Sequence, residues 1–157
     1  YINTGIIRYM VDYPEKVIAV IGQDKYDEFL YDRGMTMIRI RVTGSKKKYD
    51  QVRQILQFVD AHPQLETPLS QFFKENIDVA ESNDGKKLFE ATLPWIGKVD
   101  TESRKVLSYV GISGLASLER QEFGQYIVKM MEECLKYEQN PEAKAEYTKT
   151  LESYKKR

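Results

Sequence analysis

The sequence predicts an α+β fold: a small β-α-β-α N-terminal unit over residues 1–62 packed against a helix-rich C-terminal region over 64–157, together one continuous globular domain. Three observations carry this expectation. Residues 38–43 alternate strictly between apolar (Ile38, Ile40, Val42) and polar (Arg39, Arg41, Thr43), the period of a half-buried strand. Phe123, Tyr126, Ile127, Met130, Met131, Cys134 and Leu135 recur at the spacing of one helical face. The chain has 157 residues, 41% apolar and 31% charged, which suits one packed domain and is too apolar for intrinsic disorder.

Taken in order, residues 5–11 (GIIRYMV) are rich in β-branched and aromatic types and read as a first strand. Asp12, Pro14 and Glu15 then form a helix-start signature, and the helix is expected to run to about Arg33 with Gly34 as its stop. Gly22 interrupts that pattern at a cost of about 1 kcal/mol relative to Ala. A rival reading therefore takes the β-branched run 16–21 (KVIAVI) as a strand ended by Gly22, with a short helix from Asp24. The alternating segment within 35–43 is the next strand, and a two-stranded sheet needs helical cover to be stable.

Gly44 and Ser45 punctuate that strand, and Ser45 is placed to cap a helix carrying Tyr49, Val52, Ile55, Leu56 and Val59, which ends before Pro63. Thr67 as N-cap and Pro68 as first helical residue open the following helix. Asn83-Asp84-Gly85 marks a turn, 86–93 a short helix broken by Pro94, and Asp100 or Thr101 the cap of a helix through Val110. The stripe from Phe123 to Leu135 is a helix, interrupted at Asn140-Pro141. The last segment places Ala143, Tyr147, Leu151 and Tyr154 on one face, suited to docking on the preceding helix or on a second protomer.

Composition excludes several chemistries. The single Cys134 rules out an internal disulfide, and its place on an apolar stripe makes it a buried, inert thiol. One Cys and one His, His62, cannot assemble a Cys/His zinc site. No apolar run reaches the roughly 20 residues a spanning helix needs, so a cytoplasmic protein without membrane insertion is expected. No cofactor motif is present, including the phosphate-binding G-x-x-x-x-G-K-[ST].

The net charge is zero, but it is segregated along the chain. Residues 12–32 carry two positive and six negative groups, net −4; residues 60–84 carry one and six, net −5. Between them, residues 33–53 carry seven positive groups against Asp50 alone, net +6. Arg39 and Arg41 share a strand face, Lys46, Lys47 and Lys48 sit at the start of the next helix, and Arg53 follows one turn on. Three lysines at a helix N-terminus oppose its dipole, a cost that local stability does not explain. These six residues are the predicted binding site. The expected function is a non-enzymatic binding or regulatory protein contacting nucleic acid or an acidic protein partner through a basic strand-turn-helix surface. The competing reading is that the arginines are neutralised by residues 12–32.

Two alternatives belong to other classes. Asp24, Asp27, Glu28 and Asp32 could hold Mg²⁺ in a small enzyme acting on a phosphorylated ligand. The C-terminal helices could make the chain a scaffold or a homo-oligomer. His62 before Pro63 reads as a helix-end residue. Ser113, in a G-x-S-G run that departs from G-x-S-x-G, reads as a loop residue or cap. Tyr31 and Tyr49 bracket the basic block, and Trp95 reads as a packing anchor.

Overall fold

The computed structural model describes Tyr9, residues 12–28 and residues 48–155. Among the described residues every regular element is helical and none is a strand, which overturns the expected α+β class and its β-α-β-α unit. The elements are α1 (Pro14–Ile21), a short helical segment at 23–28, α2 (Lys48–Ala61), α3 (Pro68–Glu81), α4 (Gly85–Thr92), α5 (Thr101–Ser113), α6 (Arg120–Tyr137) and α7 (Pro141–Lys155). A single 3₁₀ turn at Pro63–Leu65 joins α2 to α3, and a two-turn 3₁₀ helix at Leu93–Lys98 joins α4 to α5.

The correction has local causes. In the expected strand 5–11, Tyr9 is helical and its carbonyl accepts the Tyr13 N–H at 2.9 Å, an i to i−4 bond. The run 16–21 is the body of α1, in keeping with the expected helix from Asp12 and against the rival strand there, because Pro14 opens the helix without losing a needed donor and Val17 and Ile18 pack against the core. Strand propensity is mostly a measure of fit to a half-buried pleat, and helical packing overrides it here. Gly22 ends α1: it has φ +89°, a region that disfavours other residues, and its N–H donates to the Ile18 carbonyl at 2.8 Å. The chain then resumes helix at 23–28, so the single long helix expected from Asp12 is two pieces. Its stop at Gly34 and the alternating strand 38–43 lie outside the described residues.

Downstream, side-chain caps set the helix starts. Thr67 caps α3, its hydroxyl accepting from the Ser70 N–H while the Ser70 hydroxyl accepts from the Thr67 N–H. Asp84 caps α4 through the Lys87 N–H, and Asp100 caps α5 through the Ser103 N–H at 2.7 Å. Asn140 caps α7 through the Ala143 N–H at 3.0 Å.

One apolar cluster runs from Tyr26 to Tyr147. Its centre holds Phe72 and Phe73 of α3, Phe89 of α4, Ile96 of the second 3₁₀ turn, Leu107 of α5 and Met130 of α6, all fully enclosed. Edge-on ring contacts tie the layers: Phe89 to Tyr126 at 4.9 Å and Phe72 to Trp95 at 6.0 Å. The apolar face of α7 is taken up by α6, with Ala143 and Tyr147 buried and Tyr154 set edge-on to Phe123. An antiparallel helical hairpin thus closes the C-terminal half.

Between α4 and α5 one contact is backbone on backbone. A Cβ at Gly85 would stand 2.1 Å from the Gly114 carbonyl oxygen, so the first residue of α4 touches the end of α5 in a way no side chain permits.

Candidate functional site

Of the six predicted site residues, Arg39, Arg41, Lys46 and Lys47 lie outside the described residues. Lys48 is the first residue of α2. Arg53 stands a turn and a half further along the same helix, and its surroundings are defined. Its Nε donates to Glu81 Oε1 at 2.6 Å, and its outer nitrogen donates to Glu81 Oε2 at 2.8 Å and to Asp78 Oδ1 at 2.9 Å. The planar guanidinium thus takes one carboxylate with two nitrogens and a second with one, the geometry arginine is built for. The hydrogen bonds to Glu81 and then Asp78 raise the guanidinium's pKa, and the Glu81 carboxyl is lowered by its bond to Arg53.

The partners come from α3, in the acidic segment 60–84; the pairing of Arg39 and Arg41 with 12–32 concerns arginines that lie outside the described residues. Their effect is to fix the first turns of α2 against the end of α3. Tyr49 joins this corner: burial raises its phenol, followed by the nearby Tyr109 and Glu81. Tyr109 of α5, 48% exposed, is therefore a surface aromatic beside Tyr49. The sequence reading missed it, because a single tyrosine in a buried-looking helix carries no spacing signal. The corner thus brings Arg53 and Tyr49 of α2 together with Asp78 and Glu81 of α3, with Tyr109 of α5 close enough to Tyr49 to act on it electrostatically.

The other polar constellation is internal. Arg104 of α5 and Glu138, the residue after α6, form an ion pair at 2.7 Å with side chains only 7% and 1% exposed. Arg104 also donates to the carbonyls of Ile96 and Val99, each at 2.9 Å. The second Glu138 oxygen accepts from the Thr101 hydroxyl at 2.7 Å and from the Gln139 and Asn140 N–H groups at 3.2 Å. Burial pushes the Glu138 carboxyl up, but the Thr101, Arg104 and Asn140 donors outweigh it and hold the group below the ordinary carboxylate value. Neither residue stood out in the sequence, since a lone Arg and a lone Glu in charged helices look like solvated positions. The arrangement is a structural clasp, because Arg104 and Glu138 are bonded to each other, to the Thr101 hydroxyl and to the protein's own backbone.

Cys134 lies beside this clasp, fully buried, its thiol pushed up to about 12 first by burial. That matches the inert thiol expected from its place on the stripe. The Tyr147 hydroxyl is buried nearby, on the Cys134 side of the clasp. Ser113 is the last residue of α5 and its hydroxyl donates back to the Val110 carbonyl at 3.0 Å, the posture of a helix-end serine. His62 precedes the first 3₁₀ turn, its carbonyl accepting from the Leu65 N–H. Asp27 accepts from Gln23 and Gln64, which anchors the 23–28 segment to that same turn. Among the described residues no group of three or more His, Cys, Asp or Glu side chains could hold a metal ion, and no helix is long and apolar enough to cross a membrane.

No family model, curated protein or solved structure matches this chain.

Proposed function

We propose that the protein is a non-enzymatic binding module that engages a polyanionic partner, nucleic acid or an acidic protein surface, through the basic segment leading into α2. The observation that carries this reading is the allocation of charge at the start of that helix. Residues 33–48 hold six positive groups (Arg33, Arg39, Arg41, Lys46, Lys47, Lys48) and no negative one. The two carboxylates that α3 brings to this corner, Asp78 and Glu81, are both engaged by Arg53. Arg53 thereby acts as a brace for α2. Tyr49 follows the block directly in the chain, and an aromatic side chain beside a cationic track is the combination on which unpaired bases stack. A cytoplasmic setting belongs to the same proposal, the lone buried thiol being compatible with a reducing compartment.

The test is fluorescence anisotropy with a labelled single-stranded oligonucleotide and, in parallel, an acidic peptide, each titrated across a salt series. Binding should weaken steeply with salt. Replacing Lys46, Lys47 and Lys48 by alanine should reduce the log–log salt slope for the oligonucleotide by about 2, at about 0.7 per neutralised phosphate. Binding of the peptide alone would assign the partner as an acidic protein. Binding of neither, or binding indifferent to the triple replacement, overturns the proposal.

A further inference from the structure

Helix α1 and the helical segment 23–28 meet at one residue. The Gly22 N–H donates to the Ile18 carbonyl at 2.8 Å, and the Gly22 carbonyl accepts from the Tyr26 N–H at 3.1 Å. Each is an i to i−4 helical bond, so Gly22 closes one helix and opens the next. Only its own torsions depart from helix: φ +89° and ψ 158°, a region that is essentially glycine's alone. In an unbroken helix Gln23, Asp24 and Lys25 would donate to the carbonyls of Ala19, Val20 and Ile21. At the bend they are the leading N–H groups of a new helix, which have no acceptor within it.

The two sides of this joint are held unequally. Beyond it, Tyr26 is 1% exposed and Asp27 accepts from Gln64 at 3.3 Å, so the second segment is fixed to the body of the protein. Before it, α1 buries no residue fully; Val17 and Ile18 rest half-buried on the core and Val20 is 83% exposed. Leaving the core costs α1 two partial contacts, and straightening Gly22 returns three helical hydrogen bonds, so two small quantities oppose each other. Length decides what α1 becomes when it leaves. Its eight residues alone fall short of the roughly 12–15 at which an isolated helix holds in water. Joined through Gly22 to the next segment, they belong to one run over residues 14–28, 15 in all.

We infer that Gly22 is a two-state joint. Helix α1 alternates between the bent arrangement, docked through Val17 and Ile18, and a straight one in which residues 14–28 form a single helix that carries α1 off the core. This switch does not depend on the basic segment leading into α2.

A Cβ at Gly22 meets nothing within 4 Å, so Gly22→Ala changes backbone preference without a clash. Alanine disfavours the bent torsions, and it favours helix over glycine by about fivefold. Spin labels at Ala19→Cys and Glu75→Cys, both exposed positions, report the distance from α1 to α3 by double electron–electron resonance, while Cys134 is fully enclosed and stays unlabelled. Two distances are expected in the glycine chain, with the ratio of straight to bent raised about fivefold or more by Gly22→Ala. Ile18→Ser, which weakens docking and leaves the joint alone, should shift the ratio the same way. Amide exchange followed by NMR separates straightening from fraying: in Gly22→Ala the Gln23, Asp24 and Lys25 amides should slow while those of 18–22 stay protected. A single distance in every chain, a ratio unmoved by Gly22→Ala, or faster exchange over 18–22 with no gain at 23–25 overturns the inference.

Discussion

Helices α1 and α5 are both rich in apolar residues, yet one leaves its outer side bare and the other is locked into the interior. Helix α1 has the more apolar sequence of the two, and it contributes no fully buried side chain. Helix α5 is balanced between apolar and polar residues, and it buries Ser103, Arg104 and Ser108 along with Val106, Leu107 and Val110. Hydrophobicity of a segment is therefore a poor guide to its burial in this protein. What places α5 inside is a set of directional partners: its Asp100 cap, the Arg104–Glu138 pair and the glycine contact with α4. Helix α1 has no comparable polar anchor among the described residues.

The sharpest way to break this contrast is to remove one side of the buried pair. Glu138→Ala strands the Arg104 charge in a dry site and should lower unfolding free energy by about 3–5 kcal/mol, read from urea denaturation. Replacing both residues with apolar ones of similar size should restore much of the loss. The same group sets a pH signature. Glu138 is held below its ordinary carboxylate value, so its contribution is complete above that value and disappears as pH falls through the lowered one. Glu138→Gln should flatten the acid limb of the stability curve.

A smaller effect belongs to the backbone contact. Gly85→Ala forces a methyl into the Gly114 carbonyl and should cost about 1–3 kcal/mol in the same assay, more than a change at an open surface glycine. The smallest belongs to α1. Val20→Ser should change stability by no more than about 0.5 kcal/mol, because the side chain touches little. A large loss at Val20 would erase the distinction between the two helices.

Much of the helical half was legible because its signals are local. Thr67-Pro68, Asp100 and Asn140-Pro141 mark helix starts through single side chains, and the stripe from Phe123 to Leu135 states which side of α6 faces in. The fold class was misread where a strand was expected from residue type at 5–11, the alternating segment 35–43 lying outside the described residues; over 16–21, where the β-branched run also allowed a strand, the helix-start signature at Asp12 and Pro14 was the better guide. The candidate site was legible only as composition. Arg53 belonged visibly to a basic block, but that its carboxylates come from α3 depends on how α2 and α3 lie together, 25 and 28 residues apart in the chain. Tyr109 and the Arg104–Glu138 pair were silent for the same reason, being defined by neighbours distant in sequence.

The clasp between α5 and the α6–α7 junction also bears on synthesis. Arg104 leaves the ribosome 34 residues ahead of Glu138. Until the later residue emerges, the guanidinium lacks its counter-charge and is better placed in water than against Ile96 and Val99. A nascent chain halted before Glu138 therefore holds α5 in a provisional position, and its final seating waits until Glu138 has emerged.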